Sequence, residues 1–88
     1  MKALTFEERE EVINLAYETA ENYIFSRVNK KDFDDVDITI NLVSLDNGFD
    51  IDIEINLHSD YDLPDDLSQR AIEESLSAVD EYIEKRDV

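Results

Sequence analysis

The chain has 88 residues, 42% of them hydrophobic and 36% charged, with one Gly, one Pro and no Cys. Its 24 acids against 8 Lys and Arg give a formal charge of −16 at pH 7. That length allows a single domain with a small core. Without cysteine there are no disulfides and no thiolate chemistry, and so negative a chain has no basic footprint for nucleic acid or an anionic membrane.

The opening MKALTFEERE contains no apolar stretch long enough for a signal peptide. No run approaches the roughly 20 apolar residues of a membrane helix, so the expected location is cytoplasmic. Thr5 to Glu8 has the form of a capping box, in which the Thr hydroxyl and the Glu carboxylate satisfy each other's backbone amides. The spacing that follows predicts a helix over 6–28, with Phe6, Ile13, Ala16, Tyr17, Ala20, Ile24 and Val28 as its inward stripe. Arg27, Lys30 and Lys31 gather where cations suit a helix C-terminus. Leu15 falls nearly opposite the stripe, and Phe25 well to one side of it.

A polar connection at 30–35 carries Phe33 as an anchor. From 36 to 43 the period changes to two, with Val36, Ile38, Ile40 and Leu42 inward and Asp37, Thr39 and Asn41 outward. Asn47-Gly48 is a strong hairpin signal, because both residues tolerate positive φ in a type I′ turn. With those two as the loop, Leu42 is expected opposite Ile53, Ile40 opposite Ile55 and Ile38 opposite Leu57. On the other face Asp37 meets His58, Val43 meets Asp52 and Leu45 meets Asp50, and no two acids oppose each other. Residues 59–66 are turn and helix-entry chemistry around Pro64. The second helix runs to about 85 on a stripe of Ile72, Leu76, Val79 and Ile83, flanked by Ala71, Ala78 and Tyr82. Ser68 and Ser75 fall in that stripe. Together with Ala16 and Ala20 they point either to a close helix–helix approach or to serines left exposed.

The expected fold class is α+β: one domain over 1–88, a two-layer α-β-β-α sandwich with both helices on one face of an antiparallel hairpin. Such a hairpin has one wet face and two unpaired edges, so the chain is expected as a monomer or as a homodimer through an edge strand.

The wet face raises the question of chemistry. Asp50, Asp52 and Glu54 form a row with Cα atoms about 7 Å apart, so one ion at the ~2.0–2.6 Å of a metal–oxygen bond would need converging side chains and an oxygen from the opposite strand, where only Asn41 offers one. His58 has Asp37 to orient it but no cleft, no serine sits in a nucleophile motif, and a single Gly cannot build a phosphate loop. No catalytic, metal or cofactor residue is assigned, no cofactor is expected, and the chain is not read as an enzyme. The stronger signal is apolar: Val43 and Leu45 point to the wet face, ringed by Asp50, Asp52 and Glu54. That is an apolar patch with an acidic rim, suited to a basic protein partner. Leu15 and Phe25 form a second candidate surface. The expected function is a non-catalytic protein–protein interaction or accessory module. The alternatives are a nucleic-acid mimic or competitor and, behind it, a divalent-metal-dependent hydrolase.

Three stretches, TFEEREEVINLAYE, DITINL…GFDIDIEI and AIEESLSAVDEYIEK, give the chain its likeness to known proteins. On these it resembles a small archaeal family of uncharacterised acidic helix–hairpin–helix proteins, over nearly its whole length. The resemblance carries no active-site motif. It implies an accessory role beside the prefoldin beta subunit or a small subunit of a tRNA-modifying complex, whose genes neighbour the family's, and a high-salt cytosol would make the acidity a solubility adaptation.

Overall fold

The structure, a computed structural model, describes residues 4–46 and 48–86, with residue 44 described by its backbone alone. Thr5 caps the first helix, α1 (Phe6–Arg27): the Glu8 amide donates to Thr5 Oγ1 at 3.1 Å and the Thr5 amide donates to Glu8 Oε1 at 2.9 Å. This is the predicted capping box, and it fixes the helix start. A short 3-10 turn, Lys30–Asp32, leads into strand β1 (Asp35–Leu45), its antiparallel partner β2 (Gly48–His58) and the second helix, α2 (Leu67–Arg86). The order is α-β-β-α, and the helices pack on the hairpin as a second layer, α1 over β1 and α2 over β2.

The helix pair is the centre of the core. Val12, Ala16, Ala20 and Ile24 of α1 are all 0% exposed, facing Ala71, Ser75 and Val79 of α2. This corrects the predicted stripe. Phe6 and Tyr17 stand 72% and 42% exposed, while Val12, outside the predicted stripe, is fully buried. Bulky residues occur on several sides of α1, so their spacing alone does not set the phase. The contact with α2 sets it, because a close crossing selects the small residues Ala16 and Ala20. Ser75 completes that contact. Its hydroxyl lies 2.9 Å from both Ala16 O and Ala71 O, its one proton shared between two backbone carbonyls.

The sheet pairs Val36 with Leu57, Ile38 with Ile55, Ile40 with Ile53 and Leu42 with Ile51, and Leu45 with Gly48 closes the hairpin. The expected register is therefore wrong by two residues. Gly48 opens β2 instead of sitting in the loop, and Asp46 begins the connection without a positive φ. Asn47 lies outside the described residues. A two-residue shift keeps every side chain on its face, so the alternation cannot distinguish the two registers. Pairing at the base does: the expected register would set Val36 against Ser59, whereas the observed one gives Val36 the apolar Leu57.

The long elements match in length, about 30–33 Å for the helices and about 37 Å for the strands, and they build a rod of 44 × 21 × 19 Å. Widths do not match. Helices pack about 8–10 Å apart but strands only about 4.8 Å apart, so each helix overhangs its strand. Below the overhang Ile53 and Ile55 are buried, whereas Phe49 and Ile51 near the hairpin tip are half-buried. At the tip end the helix termini are tied together. Arg86 Nη2 donates to Glu8 Oε1 at 3.1 Å, and Arg86 Nε donates to Glu8 Oε2. Among the described residues no helix is long and apolar enough to cross a membrane.

Candidate functional site: the acidic hairpin and its flanking groove

Strand alternation places Asp50, Asp52 and Glu54 on the outer face of β2, all exposed. The observed register sets them opposite Val43, Asn41 and Thr39. Asp50, not Asp52, faces Val43, and Leu45 faces Gly48. His58 pairs with Asp35 and not with the expected Asp37, which faces Asn56. These corrections all follow from the two-residue shift, and still no acid directly opposes another. Among the described residues no group of three or more His, Asp or Glu side chains is placed to hold a metal ion.

Val43 and Leu45 are 57% and 45% exposed. They sit on the same face of β1 at the tip, with Cα atoms about 7 Å apart, and Asp50 lies directly across from Val43. Charge isolates this patch. From Asp32 to Gln69 the chain contains no Lys or Arg, so every formal charge on the hairpin is negative.

Leu15 and Phe25 are not brought together. They lie about 15 Å apart along α1, and each is half-buried in its own setting. Leu15 borders Ala78 and Tyr82 of α2. The Phe25 ring meets Phe33 edge-on, with centroids 5.8 Å apart, and the Lys30 ammonium stands 5.6 Å from its centroid. Phe33 thus anchors the connection as its position in the sequence implies.

Sequence reasoning missed a groove of about 410 Å³ on the opposite side of β2, beneath the overhang of α2. Phe49 and Ile51 form one wall, Leu76, Val79 and Ile83 the other, and Asp50, Asp80 and Glu84 rim it. The available signal was the pair Asp80 and Glu84, one helical turn apart beside Val79 and Ile83. Its meaning depends on β2 lying alongside.

Two carboxylate contacts between α1 and α2 shift pKa values. Arg86 and the Thr5 backbone amide hold the Glu8 carboxyl down at about 2. The Tyr82 hydroxyl donates to Glu11 Oε2, which with desolvation pushes the phenol up to about 12. Both contacts tie α1 to α2 and are structural.

Fold and surface together define a two-layer helix–hairpin–helix protein whose charged hairpin residues are all acids. The chain belongs to the DUF3194 family of proteins of unknown function, with the match covering residues 1–85. An uncharacterised protein of Natronomonas pharaonis is 36% identical over 75 residues, covering 85% of this chain and 87% of the relative. Two solved structures share the fold. The solution structure of the hypothetical protein mth677 from Methanothermobacter thermautotrophicus superposes with a TM-score of 0.83 at 22% identity, covering 97% of this chain and 94% of that one. A crystal structure from Thermococcus onnurineus NA1 gives 0.79 at 23% identity, covering 96% and 84%.

Proposed function

We propose that this chain is a non-catalytic interaction module whose hairpin docks a basic protein. The observation that carries this reading is the coincidence of the exposed Val43–Leu45 patch with a hairpin devoid of cations. An apolar centre excludes water while the surrounding carboxylates select positive partners and speed their approach. Two arginines outside the hairpin are themselves paired with acids, Arg70 with Asp66 at 2.7 Å and Arg86 with Glu8.

The test is capture from native extract at physiological salt, with wild type beside Val43→Ser/Leu45→Ser and Asp50→Asn/Asp52→Asn/Glu54→Gln, each checked for folding. A basic protein retained by wild type and lost by both variants supports the reading. Retention by both variants refutes it.

A further inference from the structure

We propose that the free edge of β2 accepts an extended cationic segment of the partner as a third strand. This rests on the docking role above and specifies its mode. The sheet has two strands, so the outer edge of β2 carries no strand among the described residues. Leu45 and Gly48 close a two-residue loop, and such a closing pair exchanges both backbone hydrogen bonds. Alternation from that pair turns the even-numbered residues of β2 toward β1. The amides and carbonyls of Phe49, Ile51 and Ile53 therefore point out of the edge.

The two faces flanking that edge ask for different side chains. On the inner side lies the apolar groove of Phe49, Ile51, Leu76, Val79 and Ile83. On the outer side runs the exposed row of Asp50, Asp52 and Glu54. An added strand presents alternate residues to these two faces with a repeat of about 7 Å, which is also the repeat of the acidic row. A segment alternating apolar and cationic residues satisfies groove, row and backbone together, as in other strand-addition complexes. A helix in the groove would bring its cations past the row out of step.

Two further features select this edge and this occupant. Beside the other edge, the outer row of β1 holds Thr39, Asn41 and Val43 where β2 has Glu54, Asp52 and Asp50, so it offers no matching row of carboxylates. A second copy of this chain would bring another overhanging helix and another acidic hairpin to the same place, whereas a single extended segment fits beneath α2 and complements the charge.

The probe is a nonapeptide of alternating Lys and Val, compared with an isomer holding the same residues in two blocks. Binding is followed by 15N NMR titration, and hydrogen exchange is read at the Phe49 and Ile51 amides. The alternating peptide is expected to bind at least tenfold more tightly than the block isomer and to slow Ile51 exchange at least tenfold. Ile51→Pro removes an edge donor without touching the bonds to β1, and is expected to weaken binding tenfold or more. The exchange measurement on wild type needs no variant, so a poorly folded Ile51→Pro does not spoil the test.

Equal affinity for the two isomers, or no added edge protection, overturns the proposal. Perturbation confined to the Val43 and Leu45 amides overturns strand addition and leaves the docking role standing. Edge protection that survives Asp50→Asn/Asp52→Asn/Glu54→Gln unchanged supports strand addition and removes the acidic face as its determinant. A dimer that forms without peptide and is lost in Ile51→Pro overturns the proposal in favour of a second copy.

Discussion

Ser75 bridges the two helices through its bond to Ala16 O, and enlarging it tests how tight that crossing is. Ser75→Ala removes a hydroxyl shared by Ala16 O and Ala71 O. Both carbonyls also accept an amide four residues on in their own helix, so neither is orphaned. The loss is one hydrogen bond, worth about 0.5–1.5 kcal/mol, partly offset because no hydroxyl is desolvated. Ser75→Leu differs in kind. Ala16, Ala20 and Ala71 surround the position at 0% exposure, so the added carbons meet backbone on both helices. Overpacking costs about 1–3 kcal/mol, for a total of about 2–4 kcal/mol with the lost hydrogen bond. At about 4–8 °C per kcal/mol for a domain of this size, Tm falls by some 10–30 °C. Thermal and urea unfolding followed by far-UV circular dichroism measures both variants. A Ser75→Leu protein melting within about 3 °C of wild type, against that expected 10–30 °C loss, would show that the crossing has room and that the argument from small residues is wrong.

Three other outcomes are expected. Arg86 and the Thr5 amide lower Glu8 from 4.5 to about 2, so its stabilising contribution is complete above pH 4.5 and lost as pH falls toward 2; urea midpoints across that window should slope less in Glu8→Gln, and equal slopes would refute the pairing. Tyr82 is raised from 10 to about 12, so its contribution is full below pH 10 and lost as pH rises through 12. Absorbance titration at about 295 nm should show one tyrosine ionising late that disappears in Tyr82→Phe, and four normal tyrosines would contradict the contact with Glu11. Salt should stabilise the fold, because raising ionic strength from about 0.01 M to about 1 M shortens the Debye length from about 30 Å to about 3 Å and relaxes the mutual repulsion of the acids. A falling urea midpoint would mean that the ion pairs outweigh that repulsion.

The parts of this structure legible in sequence are those with a local cause. Thr5 and Glu8 mark the helix start because the capping bonds form within four residues. The alternation at Val36–Leu42 and Phe49–Leu57 fixes which face each residue takes, because side chains alternate whatever the partner. Register was beyond it, since pairings two residues apart satisfy the same alternation. So was the exact edge of the α1 stripe: Ala16, Ala20 and Ile24 were legible, but Phe6 and Tyr17 outweigh Val12 as hydrophobes, and only the neighbouring helix shows that Val12 is the one covered. For the candidate surface the same division holds. Val43 and Leu45 declare themselves as apolar residues on a polar row, whereas the groove is shared between Ile51 and Ile83, and neither segment alone describes it.

The pairing of Ala16 with Ser75 has a consequence for synthesis. The buried stripe of α1 is covered chiefly by α2, whose last buried residue is Ile83. During translation α1 emerges long before that cover exists. At ~5–20 residues per second the ribosome needs about 3–12 s to add the intervening chain. For that interval the nascent polypeptide displays the apolar stripe of α1 and the part of the hairpin that α2 later covers, with its own negative charge to hold neighbouring chains apart. The same carboxylates that strain the finished fold would then act as its escort during manufacture.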